Sequence, residues 1–494
     1  MQSDARPTIE STEGRYRVIW LIDGILLMLL AGFMSLPAIA DLVVGSPDWH
    51  SFLYAAAVTF FAGGILVLAN RTHSVNLRHR DAFLVTTSGW VLVSAFGALP
   101  FLFADLPVDY TDAFFESISG VTTTGSTVLV GLDDMAPGIL LWRSLLQWIG
   151  GIGIVATAVA ILPFLRIGGM QLFRTESSDK SEKLFPRPGQ VALAIGSVYL
   201  GLTFMCVAAY AIGGMTLFDA LNHAMTTIST GGYSTHDASM GHFDSTYIRL
   251  VSSVFMIAGS LPLVLYVHSL QRGRQVFWED SQVRAFLGML AVFTLLIAFW
   301  VWISGRFGFG DALSHAAFNV ISIATTTGYA SSDYSLWGSL PVALFFALTF
   351  LGGCTGSTAG GIKTFRLQIL FALLRQQVHQ MLYRHAVATI RYEGKAVDSD
   401  IAQSVLLFVC LVFASVAVLT AALAATGLDL VTSITAAATA IANVGPGLGE
   451  IIGPAGNFAG VPDSAKWLLS AGMLLGRLEI MTVLVVLSPQ FWRH

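Results

Sequence analysis

Four segments of one pattern recur along the chain: FESISGVTTTGS (115–126), LNHAMTTISTGG (221–232), FNVISIATTTGY (318–329) and TAAATAIANVGP (435–446). Aligned on one glycine, they share Gly125, Gly231, Gly328 and Gly445. An acidic residue opens each: Asp112, Asp219, Asp311 and, less closely aligned, Asp429. Each segment sits between two long apolar stretches. Its helical part, about 10–14 residues, is too short to cross a bilayer and reads as re-entrant. Non-helical backbone at membrane depth survives only where protein buries it or water reaches it. Four such segments in one chain meet that condition by converging on a common axis.

The intervening stretches place the chain in a membrane. Residues 17–40, 51–70, 82–104, 137–165, 190–214, 247–269, 285–304, 337–353, 401–427 and 466–488 are mainly apolar. About 20 such residues span the hydrocarbon core, which predicts ten spans, the 337–353 stretch being ambiguous. The chain is 55% hydrophobic and only 11% charged, against roughly a quarter charged in soluble domains. Most of its 26 basic residues fall in alternate loops and the termini. Examples are Arg6 and Arg15 before the first stretch, Arg166 to Arg187 after the fourth, and Lys363 to Lys395 after the eighth. Basic loops stay inside, so both termini are expected to be cytoplasmic. The N-terminus does not resemble a cleaved signal. Cys206, Cys354 and Cys410 have neither metal-site nor disulfide spacing and read as small buried hydrophobes.

The expected fold is an all-α polytopic membrane protein. Four covalently linked span–pore helix–span repeats surround one pseudo-fourfold pore, after two N-terminal spans. The expected units are 1–81 (N-terminus and two extra spans), then pore repeats at 82–189, 190–284, 285–399 and 400–494.

The repeats suit an alkali cation. A ring of backbone carbonyls can replace the hydration oxygens of such an ion. Glycine permits positive φ and close backbone approach. The short helix turns its partially negative C-terminal end towards the axis. The candidate filter is Thr123, Thr124 and Gly125; Ser229, Thr230 and Gly231; Thr326, Thr327 and Gly328; Asn443, Val444 and Gly445. The fourth copy has lost its hydroxyls, so the ring is expected to be irregular. A second cluster, FLGGCTGSTAGGIK (350–363), holds Gly352, Gly353, Gly356, Gly360 and Gly361. Each glycine costs a helix interior roughly 1 kcal/mol relative to alanine, so a break is expected there. Small-residue helix packing is the alternative. Arg477 sits inside the last apolar stretch. A charge at that depth is costly and usually faces a cavity; pairing with Glu479 or another acid is the structural alternative.

VTTTGST, TISTGGYSTHDAS, IATTTGY and NVGPGLG, in that order and each between two spans, resemble the Trk/Ktr/HKT superfamily of potassium transporters. The two preceding spans point to its TrkH/TrkG-like bacterial branch. The resemblance covers essentially the whole chain. It implies a potassium-selective, channel-like subunit, assembled as a homodimer with one pore per chain in the bacterial inner membrane. It also implies a cytosolic TrkA-like nucleotide-binding ring as regulatory partner. Glycine at the first filter position, Gly125, favours potassium over sodium. The resemblance assigns 350–363 as an intramembrane loop that obstructs the pore from the cytoplasmic side. It also assigns Arg477 as its electrostatic partner in the closed state.

Other signals are weaker. GSTAGGIKT lacks the GK[ST] spacing of a phosphate loop, and GGIGIVA (150–156) lies within a span and reads as a helix-packing surface. His223 and His315 lack a third ligand and read as polar packing, so no transition metal is expected. No organic cofactor and no nucleic-acid partner are expected. Asp105, Asp109, Asp112, Asp133 and Asp134 surround the first repeat, either as solvated surface or as a cation-concentrating vestibule. The basic loop from Lys363 to Lys395 suits anionic lipid or a docking partner. Arg143 and Arg249 read as snorkelling side chains. A pump or enzyme fails on parts, since the chain has no Walker loop and no soluble domain. A symporter coupling potassium to sodium or protons stays open, with Asp23 and Glu479 as its candidate carboxylates.

Overall fold

The computed structural model describes residues 12–72, 79–160, 188–383, 389–393 and 395–492. Much of the basic-loop pattern, including Arg6, Arg166 to Arg187, Arg384 and Arg493, lies outside them.

The described chain is mostly helical. α1 (Thr12–Val44) and α2 (Trp49–Ala69) form an antiparallel pair ahead of the repeats. Gly24 and Gly63 sit at their crossing: a Cβ on either would lie within 2.8 Å of the other's carbonyl oxygen. The first repeat follows: α3 (His79–Gly97), its extension α4 (Leu99–Phe103), the short α5 (Tyr110–Val121), and α6 (Pro137–Ala160). The second has α7 (Pro188–Ile212), the short α8 (Leu217–Ile228), then α9 (Thr246–Ser260) and α10 (Leu263–Arg272). A connecting helix, α11 (Gln275–Glu279), leads into the third. That repeat has α12 (Ser281–Ile303), the short α13 (Phe309–Ala324), α14 (Ser339–Thr349) and α15 (Thr364–Leu382). The fourth has α16 (Ser399–Ala424), the short α17 (Leu430–Ala442), α18 (Asp463–Arg477), α19 (Ile480–Leu487) and α20 (Pro489–Trp492). The expected all-helical architecture holds, apart from a two-stranded ribbon pairing Arg391–Tyr392 with Lys395–Ala396.

The ten expected spans are not all single continuous helices. Among the described residues, seven helices are long and apolar enough to cross a membrane, or up to nine if each bent pair is one span. The expected sixth and tenth spans are helix pairs bent by 93° and 108°. Pro262 heads the second piece of the sixth, where its ring and missing N–H stop helix continuation. The expected eighth span is only the 11-residue α14, which gives way to the glycine cluster.

Three of the four short helices begin on a side-chain cap. Asp109, Thr216 and Asp429 accept from the backbone N–H of Asp112, Asp219 and Thr432. Such a cap satisfies one of the donors a helix start leaves orphaned. Asp429 is thus the counterpart of Asp109, not of Asp112.

Candidate functional site

Every short helix ends directly before its threonine–glycine strand. In each strand two residues adopt positive φ, two positions apart: Thr123 and Gly125, Thr230 and Gly232, Thr326 and Gly328, Asn443 and Gly445. Alternating left-handed with ordinary backbone brings successive carbonyls onto one side of a strand. A β-branched threonine is strained at positive φ, and asparagine tolerates it better. The fourth copy therefore keeps the backbone shape after losing its hydroxyls.

The equivalent glycines are Gly125, Gly232, Gly328 and Gly445. The sequence register placed Gly231 in that set and is corrected by one residue. Gly231 instead matches Thr124, Thr327 and Val444. A Cβ built on Gly125 would lie 2.1 Å from the Gly231 carbonyl oxygen. One on Gly232 would lie 1.9 Å from that of Thr327, and one on Gly328 2.0 Å from that of Val444. One on Gly445 would lie 2.7 Å from that of Thr124. The contacts run from repeat one to two, three, four and back to one. All four strands therefore enclose one axis.

The ring is braced from outside. Gln147 on α6 donates to the Gly231 carbonyl at 2.7 Å and accepts from the Tyr233 N–H. Ser126 donates to the Gly445 carbonyl at 2.9 Å, and Asn443 to the Thr124 hydroxyl at 3.0 Å. Nine residues before each glycine stand Glu116, His223, Asn319 and Ala436. The first three hold the strand that follows their glycine. Glu116 accepts from the Val128 N–H, His223 contacts Ser234, and Asn319 accepts from the Ser331 N–H. His223 and His315 are accordingly packed polar groups, the latter bonded to Ser331. The GGIGIVA stretch is a packing surface, as expected: Gly150 and Gly151 lie against Val121 and Ser229.

Two arginines assigned to snorkelling are instead buried. Arg143, 1% exposed, pairs with Glu116 at 2.7 Å and donates to the Ser234 carbonyl. Arg249 donates to Ser314 and Thr246. An ionisable residue in a membrane segment is by default a functional or structural partner, and that signal was present at both positions. Among the outer acids, Asp112 is taken up by Lys466 at 2.6 Å. Asp133 accepts from His236, and that bond holds its carboxyl below the usual carboxylate range.

The glycine cluster folds as a loop against the other end of the strands. Its ends are joined by a Leu351–Ile362 bridge. Thr358 donates to the Ile228 and Gly259 carbonyls, Gly361 to that of Ala442, and Gly360 to the Thr326 hydroxyl. These partners are the last residues of α8 and α17, the end of α9 and a lower strand position. The loop therefore lies opposite the mouth lined by Ser126, Gly328 and Pro446. Gly352 and Gly353 pack on Gly360 and Ser260, where a Cβ would meet backbone, and Gly356 and Gly361 have positive φ. Arg477, 3% exposed, donates to the Thr358 carbonyl at 3.0 Å. Its alternative pairing does not occur: Glu479 is held by Arg366 at 2.7 Å. Neither symport candidate lines the ring, since Asp23 accepts from Ser88 on α3, beside the extra pair.

The fold defines a class: a multi-pass membrane protein of four span–re-entrant helix–span repeats closed around one axis. The family model described as TrkH, cation transport protein, matches residues 50–493. The chain belongs to that family, a transport family rather than an enzyme family. It is 44% identical to the Trk system potassium uptake protein TrkI of Halomonas elongata, over 98% of this chain and 99% of that one. It is 40% identical to the Trk system potassium uptake protein TrkH of Vibrio parahaemolyticus, over 97% and 100%. The crystal structure of the potassium transporter TrkH from Vibrio parahaemolyticus superposes with a TM-score of 0.90 at 37% identity, covering 97% of this chain and 100% of that one.

Proposed function

We propose that the chain is the potassium-translocating, channel-like subunit of a Trk-type uptake system. The closed cycle of glycine-to-carbonyl contacts carries this reading. It supplies backbone oxygens from four directions at one level, the arrangement that replaces an alkali ion's hydration shell. The filter comprises Thr123–Gly125, Thr230–Gly232, Thr326–Gly328 and Asn443–Gly445, with Ser229 below. Four helix C-termini add partial negative charge beneath it.

The loop 350–363 is the gate, and Arg477 holds it shut by fixing the Thr358 carbonyl. A buried guanidinium in the ion path also repels cations. Opening needs the loop to leave the ends of α8 and α17. A cytosolic TrkA-like nucleotide-binding ring drives that movement, and two copies of the chain assemble with one pore each. Both termini face the cytoplasm. The repeats begin with α3, α7, α12 and α16, one to four residues ahead of the expected 82, 190, 285 and 400.

The test is rubidium and sodium flux into liposomes holding the purified chain, with and without the regulatory ring. Rubidium flux above sodium flux, lost in Gly125→Ser, is expected. Equal sodium flux in the unmutated chain would overturn potassium selectivity.

A further inference from the structure

We propose a transition-metal site of the zinc class at the outer mouth of the pathway, formed by Asp133, His236 and His242. One ligand atom from each lies within 4.8 Å of the others. Two imidazoles and a carboxylate are a borderline-soft set that suits zinc, with water completing a tetrahedron. No single loop contains the site. Asp133 comes from the connection between α5 and α6, and the histidines from that between α8 and α9.

His236 is the fixed member. Its ring lies between Asp133 and Asp219, with Nδ1 2.5 Å from Asp133 Oδ1 and Nε2 3.5 Å from Asp219 Oδ1. Nε2 is buried and has no hydrogen-bond partner. Metal on Nδ1 puts the ring proton on Nε2, facing the Asp219 carboxylate. Closing that 3.5 Å contact to a hydrogen bond would complete the carboxylate–histidine–metal arrangement that fixes a ligand's tautomer and raises its basicity. Asp219 is itself held by Thr216 and Thr235.

His242 and Asp133 are the movable members, with side chains each 46% exposed. The His242 ring stacks on His236 at 3.5 Å, 1° from parallel. Parallel rings do not aim both nitrogens at one ion, so His242 must tilt. Ligand atoms on zinc stand about 3.3 Å apart given bonds of 2.0–2.1 Å, so Asp133 must also withdraw by about 1 Å. Both are rotations of exposed side chains. His236 lines the same mouth as Gly125 and Gly328. A dication there repels incoming monovalent cations. This consequence rests on the pathway proposed above, whereas metal binding does not.

The test uses the full chain, purified in detergent and stripped with chelator. Zinc is titrated by calorimetry and cobalt by its visible absorption bands. One zinc per chain, a tetrahedral cobalt spectrum, and an affinity loss of tenfold or more in both His242→Ala and Asp133→Asn are expected. Equal binding in wild type and both variants, or no binding in wild type, would overturn the site. In liposomes, external zinc should slow rubidium flux through wild type and not through His242→Ala. Binding without inhibition would keep the site and overturn its control of entry. Binding without rubidium flux in either protein would count against the pathway and leave the site standing.

Discussion

Arg143 on α6 donates to Glu116 on α5 at 2.7 Å, and both side chains are almost wholly out of solvent. The pair ties the first short helix to the span behind it. Glu116 also holds Thr127 and Val128, on the strand leaving the ring. Removing one member of such a pair leaves a buried charge, at a cost of about 3–5 kcal/mol. Glu116→Ala should therefore lower stability sharply in a thermal unfolding assay. Glu116→Gln, which still offers Val128 an acceptor, should lower it less. Equal loss in both would show that the charge pair, not the strand bond, dominates.

The corrected register makes a sharp prediction in the second repeat. Gly232→Ala adds a methyl group at positive φ against the Thr327 backbone, and backbone cannot swing aside. Gly231→Ala has no positive φ to hold and meets the Gln147 side chain rather than backbone, at the cost of shifting that amide on its two ring bonds. The rubidium-to-sodium flux ratio should fall in Gly232→Ala and change less in Gly231→Ala. The reverse order would restore the sequence register.

Gln147 bonds the ring at both Gly231 and Tyr233. Gln147→Ala strands a buried carbonyl and a buried N–H, each costing about 1–3 kcal/mol. The variant should unfold at lower temperature and admit more sodium relative to rubidium. Unchanged selectivity would make Gln147 a packing residue alone.

Arg477→Ala removes a charge-assisted hydrogen bond from the loop. Such bonds contribute about 1.5–3 kcal/mol, so loop opening should become roughly 10- to 100-fold more favourable. Basal rubidium flux without the regulatory ring should rise. Unchanged flux at normal expression would separate Arg477 from the gate.

The ring was legible in the sequence because its backbone needs glycine at one repeated position. It was misregistered only where two glycines adjoin, since nothing local tells Gly231 from Gly232. Which glycine takes positive φ is decided by the neighbouring repeat. The bend at Pro262 carried a local signal. That at Glu479 did not: an ordinary residue holds φ +57 there, with its side chain on Arg366. The cluster of Asp133, His236 and His242 was hidden because its members lie in two loops that only the assembled repeats bring together.

The contacts around the ring have a direction. Each glycine faces the carbonyl that precedes the next repeat's glycine, never the previous one's. Damage at one quarter of the ring is thus delivered to the neighbour on one side. Four linked, non-identical quarters allow this to be read one at a time, which identical subunits would not. A defect placed in the first repeat should surface in the second, so that the pathway carries a handedness of failure as well as of fold.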